Sequence, residues 1–207
     1  MIKRIIFDVD DTLIDFPSNF AKKYQEVIDK HNLNIDYKLL FKVIDEYEFC
    51  GDYKYYNKED LLAFINKRLN LQLDDKFINS FFDMYNYLIT PVSKEVKDTL
   101  KYLKDKYELV ILSNWFTDSQ VNRLKCAGIL DYFDHIYCSD LVPMKPNKES
   151  YIAACGNHKL NECLIVGDSL KNDIEIPYLL GMNVYHLTDK ATNYPSIKKI
   201  SDLKELL

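Results

Sequence analysis

Two aspartates separated by one residue follow a short apolar run near the start of the chain. The run covers residues 4–8, and the aspartates are Asp8 and Asp10, with Val9 between them. In an extended segment alternate side chains lie on the same side, so both carboxylates are expected to face one way. Two carboxylates held that close repel each other unless a cation lies between them. A hard divalent cation such as Mg²⁺ suits this arrangement, because proteins hold it through one or two carboxylates together with a phosphate group.

Further polar residues follow the later apolar runs of the chain. Ser113 and Asn114 follow one run, and both side chains can hydrogen-bond a phosphoryl oxygen. Lys145 offers an ammonium group after another run, and Asp168 ends a fourth, with Asp173 five residues later. In open α/β sheets, ligands bind outside the carboxyl ends of the strands, so these residues are expected to meet at one edge of a sheet.

The elements that position these residues are strands alternating with helices. Five runs have the length and β-branched content of buried strands, at 4–8, 109–113, 135–138, 163–166 and 183–186. Between later runs lie helical patterns; one begins with a capping-box pair, Thr117 and Gln120, and is expected to end at Gly128. This alternation predicts an α/β fold with a Rossmann-like, doubly wound parallel sheet at its core.

A long stretch after the first strand has helical rather than strand periodicity. Roughly seventy-five residues without a strand-like run are too long for a loop inside a compact domain. Four apolar stripes at helical spacing occur there, and Asn57 is expected to begin the third helix as its N-cap. We therefore predict an all-helical cap at 16–90, inserted into an α/β core made of 1–15 and 91–207.

Composition excludes several classes of protein. The 27 basic and 32 acidic residues give a formal net charge of −5, which argues against binding nucleic acid or an anionic membrane through bulk charge. The apolar runs are too short to cross a bilayer, and no signal-peptide pattern is present at the N-terminus. Five scattered cysteines include no C-x-x-C pair, which argues against a disulfide framework or a zinc site. A cytoplasmic protein is expected, and no oligomeric state is predicted.

The polar residues at the predicted strand ends match four motifs of a known family. In chain order the motifs are Asp8-Val9-Asp10-Asp11-Thr12, Ser113-Asn114, Lys145-Pro146, and Gly167-Asp168-Ser169 followed by Asp173. With these motifs the chain resembles the haloacid dehalogenase (HAD) superfamily of phosphohydrolases. A helical cap between the first two motifs is also typical of that superfamily.

The resemblance implies roles for each motif. Asp8 would attack phosphorus as the nucleophile, and Asp10 would act as the acid and then the base. The residues implied as holders of Mg²⁺ are Asp8, Asp10 through its backbone carbonyl, Asp168 and Asp173. The residues implied as phosphate-binding are Ser113, Asn114 and Lys145.

The reaction type is inferred within the resemblance. Dehalogenases of the superfamily lack an acid at the position of Asp10, so an acid there favours a phosphomonoester hydrolase. A sugar phosphomutase is the nearest alternative, although that branch usually has glycine in place of Asp11 and an early histidine, and the first histidine here is His31. A non-catalytic scaffold is a third possibility, but it would be expected to have lost Asp8, Asp10 or Lys145.

The substrate is expected to be a small phosphorylated metabolite, such as a nucleoside monophosphate or a sugar phosphate. Lys54 and Tyr55 lie in a tyrosine-rich segment between two cap helices and are candidates for substrate specificity, with simple packing as the alternative. Pro177 follows the fourth motif closely and is expected to break or restart the helix there.

Overall fold

Six parallel strands form a single sheet in the computed structural model, which describes residues 1–207. The spatial order is β3-β2-β1-β4-β5-β6. The strands are β1 (Arg4–Phe7), β2 (Glu108–Ser113), β3 (His135–Cys138), β4 (Cys163–Gly167), β5 (Asn183–Leu187) and β6 (Ser196–Ile197). The predicted fold class is confirmed. The edge strand β6 was not predicted, because two residues are too few to show a periodicity.

Helices cover both faces of this sheet. Those of the core are α5 (Lys94–Lys104), α6 (Thr117–Ala127), α7 (Lys148–Cys155), α8 (Ile176–Leu179) and α9 (Leu203–Leu206). Alternate residues of β1 separate the two faces, since Ile5 and Phe7 pack with α5 and α6 while Ile6 packs with α7. The register pairs Phe7 with Ile111 on one side and Val166 on the other, which aligns the carboxyl ends of β1, β2 and β4.

Four further helices lie between β1 and α5, and we call them the cap helices. They are α1 (Phe20–Lys30), α2 (Tyr37–Phe49), α3 (Lys58–Leu69) and α4 (Asp75–Tyr85). Side chains of Asp36, Asn57 and Asp74 cap the N-termini of α2, α3 and α4, and the predicted N-cap at Asn57 is therefore confirmed. The exact division into 16–90 and the flanking core stays a prediction.

The cap helices share a hydrophobic cluster of 20 buried residues that is distinct from the two clusters on the sheet. Three members of this cluster, Trp115, Phe116 and Met144, come from loops of the core rather than from the cap helices. The rings of Tyr85 and Trp115 stack with their centroids 4.3 Å apart. The cap helices are thus packed directly onto the two loops that follow β2 and β3. None of the helices is long and apolar enough to cross a membrane.

Of the two sequence predictions for the ends of α6, the C-terminal one is confirmed and the N-terminal one is wrong. Gly128 ends the helix with a left-handed backbone (φ +68°), as predicted. The capping box was wrong, because Phe116 is the N-cap residue and Thr117 instead donates its backbone N–H and its hydroxyl to the Asp140 carboxylate. Gln120 is buried and turns toward the strand ends.

The helix after β4 changes type just before Pro177, without the break that the proline was expected to cause. A π-helical turn covers Leu170–Glu175, and α8 begins only at Ile176, with the proline in its first turn.

Candidate active site

A cavity of about 210 Å³, open to solvent, lies between the strand ends and the cap helices. The residues that line it from the core are Asp8, Asp10, Asp11, Ser113, Asn114, Trp115, Lys145, Asp168, Ser169, Asn172 and Asp173. Those from the cap helices and the loop before them are Phe16, Tyr24, Phe41, Ile44, Asp45, Glu48 and Tyr85. The structure therefore brings together all seven residues that the sequence analysis proposed for catalysis, phosphate and metal.

Lys145 joins two of the carboxylates at the floor of the cavity. Its Nζ donates to Asp8 Oδ1 at 2.7 Å and to Asp173 Oδ1 at 2.6 Å, and all three side chains are buried. Burial acts to lower the pKa of the Lys145 ammonium, but the carboxylates of Asp173 and Asp8 outweigh it and raise that pKa above its ordinary value. Lys145 is therefore a fixed positive charge beside Asp8.

Three carboxylates carry more negative charge than this lysine balances. Oxygen atoms of Asp8, Asp168 and Asp173 all lie within 4.8 Å of one another. Burial, reinforced by neighbouring carboxylates, raises the pKa of Asp8 well above its ordinary range and that of Asp168 to about 6. Crowded, desolvated carboxylates of this kind fit a hard divalent cation, which prefers oxygen ligands and would relieve their repulsion.

The π-helical turn places Asp173 in this group. The backbone N–H of Ser169 donates to Asp173 Oδ2 at 3.1 Å, and that of Asp173 donates to the carbonyl of Ser169. Gly167 leaves the space that the Asp173 carboxylate occupies, because a Cβ at position 167 would collide with it. The Asp173 side chain therefore turns inward, toward Lys145.

Thr12 connects the loop after β1 to the end of β4. The backbone N–H of Asp168 donates to Thr12 Oγ1 at 3.1 Å, and the same hydroxyl lies 3.3 Å from Asp168 Oδ1. Asp11, one residue earlier, has a left-handed backbone (φ +54°), a conformation that aspartate tolerates better than most residues. This turn directs the loop back across the strand ends.

The Asp10 carboxylate is held by two residues of α6. Arg123 donates from Nη1 to Asp10 Oδ1 at 2.5 Å, and Gln120 donates from Nε2 to Asp10 Oδ2 at 2.8 Å. Gln120 also donates to Ser113 Oγ at 2.8 Å, while Arg123 donates to the Leu88 carbonyl. Arg123 is fully buried, so its charge is balanced by Asp10 rather than by water.

Asn114 holds the loop that carries Lys145. Its Oδ1 accepts from the backbone N–H of Lys145 at 2.7 Å, and its Nδ2 donates to the carbonyl of the same residue at 2.8 Å. The Ser139 hydroxyl also donates to Asn114 Oδ1 at 3.1 Å. Asn114 therefore positions Lys145, a role that the sequence did not indicate; a direct contact with phosphate stays a prediction.

The profile of one protein family matches most of the chain. Residues 2–176 match the haloacid dehalogenase-like hydrolases. The chain belongs to this family.

Relatives of this HAD-like hydrolase include named phosphatases. A pyrimidine 5′-nucleotidase from Escherichia coli is 27% identical over 194 residues, covering 82% of this chain and 79% of its own. A glyceraldehyde 3-phosphate phosphatase from Pyrococcus furiosus is 29% identical over 187 residues, covering 84% and 75%. The magnesium-bound structure of the HAD-hydrolase YfnB from Bacillus subtilis has a TM-score of 0.79 at 22% identity, covering 100% of this chain and 98% of its own. At that identity the structural likeness shows a shared fold.

Two predicted specificity residues of this HAD-like hydrolase lie away from the cavity. Neither Lys54 nor Tyr55 is among the residues that line it, and both side chains are exposed. Their backbone carbonyls accept hydrogen bonds from the backbone N–H of Met144 and the hydroxyl of Tyr47. The structure therefore does not support direct substrate contact by these two side chains; the segment packs the cap helices against the core.

Some residues on α2 and α6 that face the site were not predicted from the sequence. Glu48 of α2 lines the cavity and shares a helical face with Asp45, three residues earlier. Gln120 and Arg123 are three residues apart on α6, and a polar pair at that spacing on the buried face of a helix was the available signal. A polar residue at a position that faces the core indicates a hydrogen-bonding or charged partner in the protein interior.

Proposed function

We propose that this HAD-like hydrolase is a Mg²⁺-dependent phosphomonoester hydrolase that acts on a small phosphorylated metabolite. The observation that carries the proposal is the Lys145 ammonium between Asp8 and Asp173, with Asp168 beside them and Asp10 held at the cavity wall. This arrangement supports a nucleophilic carboxylate, a positive charge for the phosphoryl oxygens and a separate acid–base group. The names of the relatives support phosphate esters as substrates. The cytoplasmic location stays a prediction.

In the proposed reaction an Asp8 oxygen attacks phosphorus in line with the ester bond. The bond from phosphorus to the leaving oxygen breaks, and Asp10, which must be protonated when the ester binds, transfers that proton to the leaving oxygen, so the alcohol leaves neutral. Asp10 then takes a proton from a water molecule, which attacks the aspartyl-phosphate and releases inorganic phosphate from Asp8. Lys145 stabilises the charge on the phosphoryl oxygens throughout, because its position is fixed by two ion pairs.

Asp8, Asp168, Asp173 and the backbone carbonyl of Asp10 would hold the metal. When bound, Mg²⁺ supplies positive charge that lets the Asp8 carboxylate and an anionic phosphate approach each other. Arg123 and Gln120 keep the Asp10 carboxylate in one orientation between proton transfers.

The test is phosphate release from a panel of phosphomonoesters with Mg²⁺ or with EDTA. The panel includes p-nitrophenyl phosphate as a reference, nucleoside monophosphates and glyceraldehyde 3-phosphate. Magnesium-dependent release is expected from the wild type and should be lost in Asp8→Asn. Asp15→Asn is the matched control, because Asp15 is an exposed carboxylate on the same loop and does not line the cavity.

Absence of release from every ester, in a folded protein with Mg²⁺, would refute the proposal. Assays of sugar-phosphate isomerisation would then separate the phosphomutase from a scaffold without turnover.

A further inference from the structure

The cavity has two halves with different chemistry. The phosphate half contains Lys145 and the carboxylates at the strand ends. The cap half is built from α2 and the surrounding rings, and its members are Phe16, Tyr24, Phe41, Ile44, Asp45, Glu48 and Tyr85. Because phosphorus must reach Asp8, the alcohol part of a bound ester would extend into the cap half.

The cap half carries negative charge and no positive charge. Asp45 and Glu48 are its two ionisable acids, and Lys145, in the phosphate half, is the sole basic residue among those that line the cavity. Two other cations lie nearby but do not line it. Arg123 is committed to Asp10, and Lys171 packs its ammonium 3.5 Å from the ring centre of Phe49.

Glu48 is fixed in place rather than free to move aside. Its Oε1 accepts from the Tyr56 hydroxyl at 2.7 Å, and its Oε2 accepts from Asn114 Nδ2 at 3.2 Å. Asn114 in turn holds both the N–H and the carbonyl of Lys145. Glu48 is therefore linked through the Asn114 side chain to Lys145 in the phosphate half.

Aromatic rings complete the cap half. Phe41 lines the cavity and is 43% exposed, and Phe16 lies against Tyr85 with ring centres 5.9 Å apart. Ring faces attract cations and accept neutral or apolar groups, but they offer no compensation to a buried anion. Rings and carboxylates thus disfavour the same kind of ligand, namely an alcohol with its own negative charge.

We propose that Asp45 and Glu48 determine substrate specificity by selecting phosphomonoesters whose alcohol part is neutral or positively charged and rejecting those that carry a second anionic group. The proposal rests on the proposed function, since it concerns the alcohol part of the ester that is cleaved. An added carboxylate in this half would meet two negative charges. At a separation of about 7 Å in solvent-filled space, each charge weakens binding by about threefold, and the two together by about tenfold.

Three esters of nearly equal size test the proposal. They are 2-hydroxyethyl phosphate, O-phosphoethanolamine and phosphoglycolate, whose two-carbon alcohols are neutral, positive and negative. We expect the wild-type kcat/KM for phosphoglycolate to be at least tenfold below that for the neutral ester, with O-phosphoethanolamine equal to or above it. The assay is run at pH 8, where Glu48 is ionised because its pKa is about 7.

The variants are Glu48→Gln, Asp45→Asn and the two combined. Gln keeps a hydrogen-bonding group of the same size, and Asp45 is exposed, so its variant carries little risk to folding. The combined variant is expected to reduce the difference between the neutral and the negative ester by about tenfold. Glu46→Gln is the matched control, because it removes one charge from the same helix at a residue that pairs with Arg68 outside the cavity. It should leave the ratio unchanged.

The outcomes separate the two proposals. Hydrolysis of p-nitrophenyl phosphate with equal kcat/KM for the three test esters would overturn the specificity proposal alone. A wild-type preference that persists unchanged in the combined variant would overturn the assignment to Asp45 and Glu48. Absence of hydrolysis of any ester would overturn the proposed function and this inference with it.

Discussion

Glu48 is a half-buried carboxylate whose protonation should change the stability of the protein. Burial raises its pKa from an ordinary value of 4.5 to about 7, with a smaller contribution from Asp45. Hydrogen bonds from Tyr56 and Asn114, together with the charge of Lys145, favour the ionised form but do not offset burial. The folded protein therefore retains a proton that the unfolded chain releases as the pH rises through this range.

The size of the effect follows from the difference between the two pKa values. One pH unit of difference corresponds to about 1.4 kcal/mol, so ionising Glu48 lowers the free energy of unfolding by about 3 kcal/mol. The sign is set by proton binding: stability associated with Glu48 is present below pH 4.5 and is lost as the pH rises through about 7. Glu48→Gln removes this loss, because glutamine stays neutral.

The assay is urea denaturation of the wild type and Glu48→Gln between pH 4.5 and 8.5, without metal. The only tryptophan, Trp115, is buried between the cap helices and the core, so its fluorescence reports unfolding at that junction. We expect the free energy of unfolding of the variant, relative to wild type, to rise by about 2 to 3 kcal/mol across this range. Glu46→Gln should show no comparable change. A difference that is the same at every pH would refute the reasoning.

Three further predictions follow from other contacts of the site. Arg123→Met should lower the free energy of unfolding by about 3 kcal/mol, because it leaves Asp10 without its buried partner. It should also reduce kcat. An unchanged urea midpoint together with an unchanged kcat would contradict this prediction. Gly167→Ala should lower the free energy of unfolding, measured by urea denaturation, by about 1 to 3 kcal/mol, because the new Cβ displaces Asp173. The same variant should bind Mg²⁺ more weakly in calorimetry. Wild-type affinity would argue against the placement of the Asp173 carboxylate. Mg²⁺ at a hundred times its Kd should raise the Tm by roughly 5 to 10 °C, and EDTA should reverse the rise. Asp168→Asn should abolish the rise, because it removes one of the three clustered carboxylates. An equal rise in the variant would show that the ion binds elsewhere.

The sheet and the residues at its edge could be predicted from the sequence because each signal is local. Buried parallel strands are short runs of apolar residues, and the polar residue that ends a run needs no partner to be recognised. Asp8, Ser113 and Asp168 follow from this logic alone. Lys145 follows the third strand in the same way, and the family resemblance added the order of the motifs and a role for each residue.

Residues that depend on distant partners could not be predicted in the same way. The spacing of Gln120 and Arg123 indicates a buried polar pair, but no local pattern identifies Asp10, 113 residues before Arg123, as its partner. Gln120 fitted a capping box equally well, and only the Asp140 carboxylate, 23 residues after Thr117, shows why that motif does not form. Lys54 and Tyr55 have side chains that could bind a substrate. Whether a segment between two helices faces the cavity or the solvent depends on tertiary packing, which leaves no periodic pattern in the sequence.

The hydrophobic cluster shared between the cap helices and two core loops limits how this protein could be re-engineered. Trp115, Phe116 and Met144 belong to the core by position in the chain but to the cap by packing. Each is also within one or two residues of a polar group at the strand ends, Asn114 or Lys145. A cap grafted from a relative would therefore have to present an apolar surface that fits these three side chains. Exchange of the inserted helices for a cap without such a surface would leave these apolar side chains exposed in the loops that follow β2 and β3.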